Sequence, residues 1–388
     1  MAEPLRVGLN LVFLVPDEVG GMEVYARELV AQLVACAPGV RFTAFINREA
    51  SEAGGGPWGS LLPAVTVPVR ARRRTEWVRG EQALLPRLAA REGVHLVHSL
   101  ASTAPVWGRF ARVVTVHDLI YARVPEAHAG LRALGMRALV PLAVRRAQRV
   151  IADSRNTRDD LVSLLHTPPE KIDVIPLGIG QLARVEAWTP ARTRDEFGLG
   201  DRRVLLSLSA KRPHKNLRSL IGALARLPVK DRPLLVIPGY ATWHERELHE
   251  QAESLGVAGD VRMLDWVPDG ALEGLWGVAD VFVYPSLYEG FGLPVLEAMA
   301  RGVPVACADA SSLPEVVGDA ALLFDPHDET AIAAAITRLL DDPAEAQRRR
   351  EAGLARAGEF SWERTARATL DSYRRALGRP SLADAGDG

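Results

Sequence analysis

Two glutamates, Glu289 and Glu297, bracket a short loop, Gly290-Phe291-Gly292-Leu293, that runs into Pro294. A carboxylate accepts two hydrogen bonds side by side, which suits the vicinal hydroxyls of a sugar or a ribose. Glycine lets backbone approach a ligand closely, and proline fits the first turn of a helix, where its missing N–H would be unpaired anyway. The spacing places Glu297 in that first turn and leaves backbone N–H groups and the helix dipole facing a phosphate. The stretch SLSAKRPHKN at 207–216 gathers Lys211, Arg212 and Lys215 where a strand gives way to a helix. The chain has only four lysines, at 171, 211, 215 and 230, so two of them lie in this loop. Positive charge at a helix start is unfavourable without an anion, so this loop suits a bound phosphate. In the first half, His117 and Asp118 end the strand-like VVTVHDLIY, and His98 ends HLVHSL, both at strand ends, where a sheet exposes its functional residues.

These groups need elements to hold them. Apolar strand-like runs alternate with helical patterns from 5 to 177 and again from 204 to 325, the pattern of parallel sheets covered on both faces. The stretch 178–203 has several breakers and no clean strand, and reads as the linker between two units. Doubly wound sheets bind ligands beyond the carboxyl ends of their strands. No GxGxxG follows the first strand and no GxxxxGK[ST] occurs, which weighs against dinucleotide dehydrogenases and P-loop enzymes. Helices are expected near 328–341, 343–358 and 361–377, and the tail 381–388 reads as unstructured.

The composition sets the class. At 388 residues and 48% hydrophobic, the chain can build two cores. A net charge of −1 gives no basic excess for a nucleic-acid partner. Two cysteines fit a reducing, cytoplasmic setting. The first residues read as a buried strand and not as a signal peptide. No apolar run is long enough to span a membrane. Two arginine-rich stretches, 70–92 and 132–149, suit either peripheral contact with an anionic membrane or ordinary solvated helix faces.

The segment EGFGLPVLEAMARGVPV resembles the E-x7-E signature of the retaining glycosyltransferases of family 4, and 266–326 follows that family's pattern almost without a gap. IPLGI at 175–179 resembles the segment before the family's interdomain linker, and VHDLIYARVPEAH is similar to bacterial mannosyltransferases. The resemblance implies an α/β GT-B fold, with two doubly wound Rossmann-like domains facing across a cleft. Residues 1–183 would form the acceptor-side domain and 198–360 the donor domain, with 361–388 crossing back to the first.

The resemblance also implies roles. Glu289 would contact the transferred sugar and Glu297 the ribose of the nucleotide. Amides of Phe291, Gly292 and Leu293, with Gly290, would surround the sugar and diphosphate. Lys215 would belong to a basic pair on the diphosphate, with Arg212 as partner and Lys211 as competitor, because SA stands where the family often has Gly-Arg. The Gly20-Gly21 loop would close over the donor phosphates, His117 would lie near the reacting sugar, and His98 and Asp118 would line the acceptor side. No metal or cofactor is expected, since Asp-x-Asp is absent and no zinc-like spacing of His or Cys occurs. The expected reaction moves a sugar, GDP-mannose being the first choice of donor, to a glycan, lipid-linked or small-molecule hydroxyl. A UDP-sugar epimerase of the same fold and a non-catalytic sugar-binding protein are the alternatives.

Overall fold

A computed structural model describes residues 3–16, 20–56, 59–124, 131–180 and 185–379. The chain divides into two compact units, Met1–Gly178 with Ser361–Gly388, and Ile179–Phe360. The sequence-based boundary at 183 and the tail 381–388 fall outside the described residues.

The first unit contains one parallel sheet of seven strands: β1 (Arg6–Asn10), β2 (Arg41–Ile46), β3 (Ala64–Thr66), β4 (Leu96–Ser99), β5 (Ala111–Val116), β6 (Arg149–Ala152) and β7 (Ile172–Val174). Their order is β3-β2-β1-β4-β5-β6-β7, so the direction of winding reverses between β1 and β4. Strands buried on both faces read as continuous apolar runs, which is why RVVTV and RVIA stood out. The helix Trp362–Ala376 belongs to this unit. Its buried residues Trp362, Thr365, Ala366, Thr369, Leu370 and Tyr373 recur at three and four positions and form one stripe. That stripe packs on the helix Gly21–Cys36. Thr365 Oγ1 donates to the Pro176 carbonyl at 2.8 Å, and Ser372 Oγ donates to Asp173 at 2.7 Å.

The second unit has a six-stranded parallel sheet: β8 (Val204–Leu206), β9 (Leu234–Pro238), β10 (Val261–Leu264), β11 (Val281–Tyr284), β12 (Val305–Ala308) and β13 (Leu322–Phe324). The order is β10-β9-β8-β11-β12-β13, with the reversal between β8 and β11. The loops after β8 and β11 carry the basic residues and the first glutamate, so both leave the sheet at its switch point. The 178–203 stretch contains a helix that breaker counting missed, Pro190–Glu196, started by a Thr189 cap and Pro190. It packs against the helix Asp269–Val278.

Candidate active site

The second unit brings Lys215 and Glu289 together from separate loops. Lys215 closes a short turn, Pro213–Lys215, and Asn216 follows in the left-handed region at φ 55°. Asn216 Nδ2 donates to the carbonyls of Pro285 and Pro326, at 3.2 and 2.7 Å, and fixes the turn against the loop after β11. Lys215 Nζ then lies 2.6 Å from Glu289 Oε1 and donates to the Tyr284 hydroxyl at 2.9 Å. An ammonium has three N–H groups, so one is left without a partner among the described residues. Burial raises the Glu289 pKa, but Lys215, then His214, and hydrogen bonds from Lys215 and Ser286 outweigh it and hold the carboxyl below its ordinary value. Burial, then the Glu289 charge, pushes the Tyr284 phenol well up, so it stays protonated.

The glycine loop is stapled from β12's far end. Ser311 Oγ accepts from the Glu289 N–H at 2.8 Å, and Ser312 Oγ donates to the carbonyls of Glu289 and Phe291 at 3.0 and 2.8 Å. Gly292 has φ 110°, a conformation that strains any other residue, and a Cβ there would also press on Leu313. Phe291 is buried against Phe360. The result is three successive N–H groups, of Phe291, Gly292 and Leu293, with no acceptor among the described residues. They lie at the start of the helix Leu293–Ala300, where an anion is favoured.

Glu297 lies in the second turn of that helix, not the first, because the cap is Gly292 and Leu293 is already helical. The carboxylate is half-buried and has no hydrogen-bond partner among the described residues. Burial raises its pKa to about 7, with Arg301 opposing and Glu273 assisting the rise. Arg301 is engaged elsewhere: it forms a two-pronged ion pair with Glu273 and donates to the Glu297 backbone carbonyl at 3.1 Å. Glu297 is thus a carboxylate held ready with its hydrogen-bonding capacity unused. It is close enough to Tyr284 for its charge to act there alongside that of Glu289.

Lys211 and Arg212 part company. Lys211 is fully buried, and its Nζ donates to the carbonyls of Gly239 and Leu264, at the ends of β9 and β10. Burial lowers its pKa, opposed by Glu245 and Asp265. It therefore ties strand ends together and is withdrawn from any ligand. Arg212 is half-buried, and its guanidinium makes no hydrogen bond or ion pair among the described residues. Beyond β9 and β10, the rings of Tyr240 and Trp266 stack at 4.9 Å, with Trp266 58% exposed. Sequence reasoning missed this pair, and it missed Tyr284, which sits in an apolar strand and looks like core.

In the first unit, His117 follows β5 and Asp153 follows β6, each one residue past the paired Val116 and Ala152. His117 Nδ1 lies 2.6 Å from Asp153 Oδ2, and Nε2 lies 2.8 Å from the Leu100 carbonyl oxygen. Burial disfavours the charged ring, but Asp153, the Leu100 carbonyl and Asp118 together raise the His117 pKa above its ordinary value. Asp118 Oδ1 accepts from the Ile120 N–H at 3.0 Å and shapes the turn after the strand. His98 is a correction. It is completely buried, with Nδ1 2.7 Å from the Tyr373 hydroxyl and Nε2 2.8 Å from Thr115 Oγ1. Burial, aided by the His117 charge, lowers its pKa to about 3. It is a neutral core residue and lines no acceptor surface. Gly21 begins the helix Gly21–Cys36 and is exposed, and Gly20 before it has φ 60°.

The pattern of the glycosyl transferases group 1 matches residues 191–356, and that of glycosyltransferase family 4 matches residues 19–180. O-antigen chain mannosyltransferase B of Escherichia coli is 35% identical over 267 residues, 68% of this chain and 70% of that protein. The chain belongs to the family 4, group 1 glycosyltransferases. This glycosyltransferase is also similar to MMP alpha-(1->4)-mannosyltransferase of Mycolicibacterium hassiacum, 33% identical over 61% of this chain and 56% of that one. It spans only 34% of the serotype-specific mannosyltransferase WbdA of Escherichia coli, at 29% identity. Among solved structures, sucrose-phosphate synthase from Thermosynechococcus elongatus matches with a TM-score of 0.77 at 21% identity, covering 96% of this chain and 99% of that one. HepE of Anabaena, solved with UDP and glucose, matches at 0.74 and 20% identity, covering 95% and 99%. At such identities these likenesses speak for the fold, which is GT-B. No helix among the described residues is long and apolar enough to cross a membrane.

Proposed function

We propose that this glycosyltransferase takes its sugar from a nucleotide diphosphate donor held on the second unit and transfers it with retention of anomeric configuration. The observation that carries this is the unspent polar capacity at the β8/β11 switch point. Among the described residues, Lys215 has one open N–H, Arg212 is unpaired, three successive amides lack acceptors, and Glu297 lacks a donor. A diphosphate would occupy the cations and amides. A ribose diol would occupy Glu297, and Glu289 would face the sugar. Neighbouring strands are about 4.8 Å apart, so the ends of β11 and β10, three steps away, are separated by about 14 Å. A nucleotide sugar laid across those ends would bring its base to Tyr240 and Trp266, whose exposed faces suit stacking.

In this reading the bond from the sugar's anomeric carbon to the diphosphate oxygen breaks. The acceptor oxygen attacks from the same face, and its proton passes to the departing phosphate. Charge building on that phosphate would be stabilised by Lys215, Arg212 and the loop amides, and no resident metal is invoked. Mannose is the favoured sugar because relatives 35% and 33% identical are named mannosyltransferases, and GDP is the favoured carrier. The acceptor is a glycan, lipid-linked sugar or small-molecule hydroxyl. Peripheral membrane contact has less support, since Arg70 pairs with Glu52 and Arg73 with Glu76 within the unit. The test is incubation with GDP-mannose and an acceptor panel, with the product linkage read by NMR. An α-linked mannoside is the predicted product. A β-linked product, or free-sugar epimers formed without acceptor, would overturn the proposal.

A further inference from the structure

The first unit holds two histidines in opposite electrostatic situations. His98 meets two hydroxyls, of Tyr373 and Thr115. A hydroxyl turns to donate or accept, so a neutral ring satisfies both contacts. His117 meets two acceptors, the Asp153 carboxylate at 2.6 Å and the Leu100 carbonyl at 2.8 Å. Neither can turn. A neutral imidazole has one N–H, so one of these contacts would set lone pair against lone pair. Both are attractive when both nitrogens carry protons. Asp153 adds a second argument. It is 2% exposed, and its other oxygen, Oδ1, is buried with no partner among the described residues. A buried carboxylate with a single hydrogen bond needs a charge beside it, and His117 is the group in contact.

We infer that Asp153 is the positioning residue of His117 and holds its ring doubly protonated, so that His117 serves transfer as a fixed cation and not as a proton acceptor. The charge state is a property of the unliganded protein; its use in transfer rests on the donor reading above. Both ring N–H groups are spent on protein acceptors, and no lone pair remains to take an acceptor proton. The other titratable groups facing the ring do not compete. Asp118 favours the charge. His98 stays neutral, its pKa lowered to about 3 by burial and by His117 itself, and Tyr25, packed edge-on at 4.7 Å, is kept protonated by burial.

The chain has nine histidines, so the test is nitrogen-15 NMR of histidine-labelled full-length enzyme, with His117 assigned by its loss in His117→Gln. Two protonated ring nitrogens at pH 8 are expected. A bare Nδ1 at that pH, the proton residing on Asp153, would overturn the assignment without bearing on the donor site. The isosteric Asp153→Asn removes the charge but keeps a polar partner. It should return His117 to a neutral ring at pH 8 and lower kcat/KM by about 100-fold, the scale for one lost charge-stabilising group. The rate should recover as pH falls to 6 and the ring regains its proton, a recovery that a merely structural role would not produce. A neutral ring in Asp153→Asn with an unchanged rate from pH 6 to 8 would refute the role in transfer. Wild-type enzyme that turns over no nucleotide sugar would sink the donor reading and leave the NMR result standing.

Discussion

The carboxyl ends of the two sheets use the same topology to opposite ends. In the first unit the polar groups there close on one another. His98 is satisfied by Tyr373 and Thr115. His117 is spent on Asp153 and Leu100. The buried Glu81 accepts from Asn10, Thr103 and Gln82. In the second unit the groups are left open, with Glu297, Arg212 and three amides unpaired among the described residues. Buried polar groups satisfied from within stabilise a fold, whereas open ones cost stability until a ligand meets them. The contrast separates side chains whose polar groups the fold already satisfies from those left open for a substrate.

The sharpest way to break the contrast is Lys215→Ala. It removes a cation from the open site and strands Glu289. We expect kcat/KM to fall by about 1000-fold, the upper range for one charge-stabilising group, measured with saturating acceptor. Next comes His98→Leu, a change in the closed set. It takes from the buried Tyr373 hydroxyl its partner among the described residues and leaves Thr115 only the Tyr25 hydroxyl, so urea denaturation should show a loss of about 1–3 kcal/mol. The rate per folded molecule should stay within about threefold. A large kinetic defect in stable protein would place His98 back at the substrate.

A smaller effect should appear in pH dependence. The folded Glu297 pKa, raised to about 7 by burial, exceeds the unfolded value of 4.5. Its contribution to stability is therefore full below about 4.5 and lost as pH rises through about 7. Glu81 is likewise raised to about 7 by burial, so it shares the window. Urea denaturation at pH 5 and pH 8 should show wild type losing stability across this interval and Glu297→Gln losing less. An unchanged pH slope in the variant would mean that Glu297 is not buried uncharged in the free protein.

The strands were legible because parallel sheets bury both faces, so LLVIP and VFVY read as continuous apolar runs. The glycine loop and Pro294 were legible because they are local signals with local causes. What was not legible depends on contacts distant in sequence. Lys211 reads as a competitor of Arg212 for a diphosphate, but its fate is set by carbonyls at 239 and 264. His98 looked like a site residue until Tyr373, 275 positions away, took its ring. Asp153 had no motif at all, and only the pairing of β5 with β6 brings it to His117. The turn of Glu297 was misplaced by the cap at Gly292, whose left-handed backbone no composition rule announces.

The central claim is that the open groups of the second unit bind a nucleotide diphosphate. Isothermal titration calorimetry with GDP, UDP, dTDP and ADP tests it most directly, on wild type, Lys215→Ala and Glu297→Ala. We predict measurable binding of one nucleotide diphosphate by wild type, weakened about 10- to 100-fold in each variant, the scale for lost hydrogen bonds to a charged group. Equal affinity in all three folded proteins, or no heat with any nucleotide, would contradict the account.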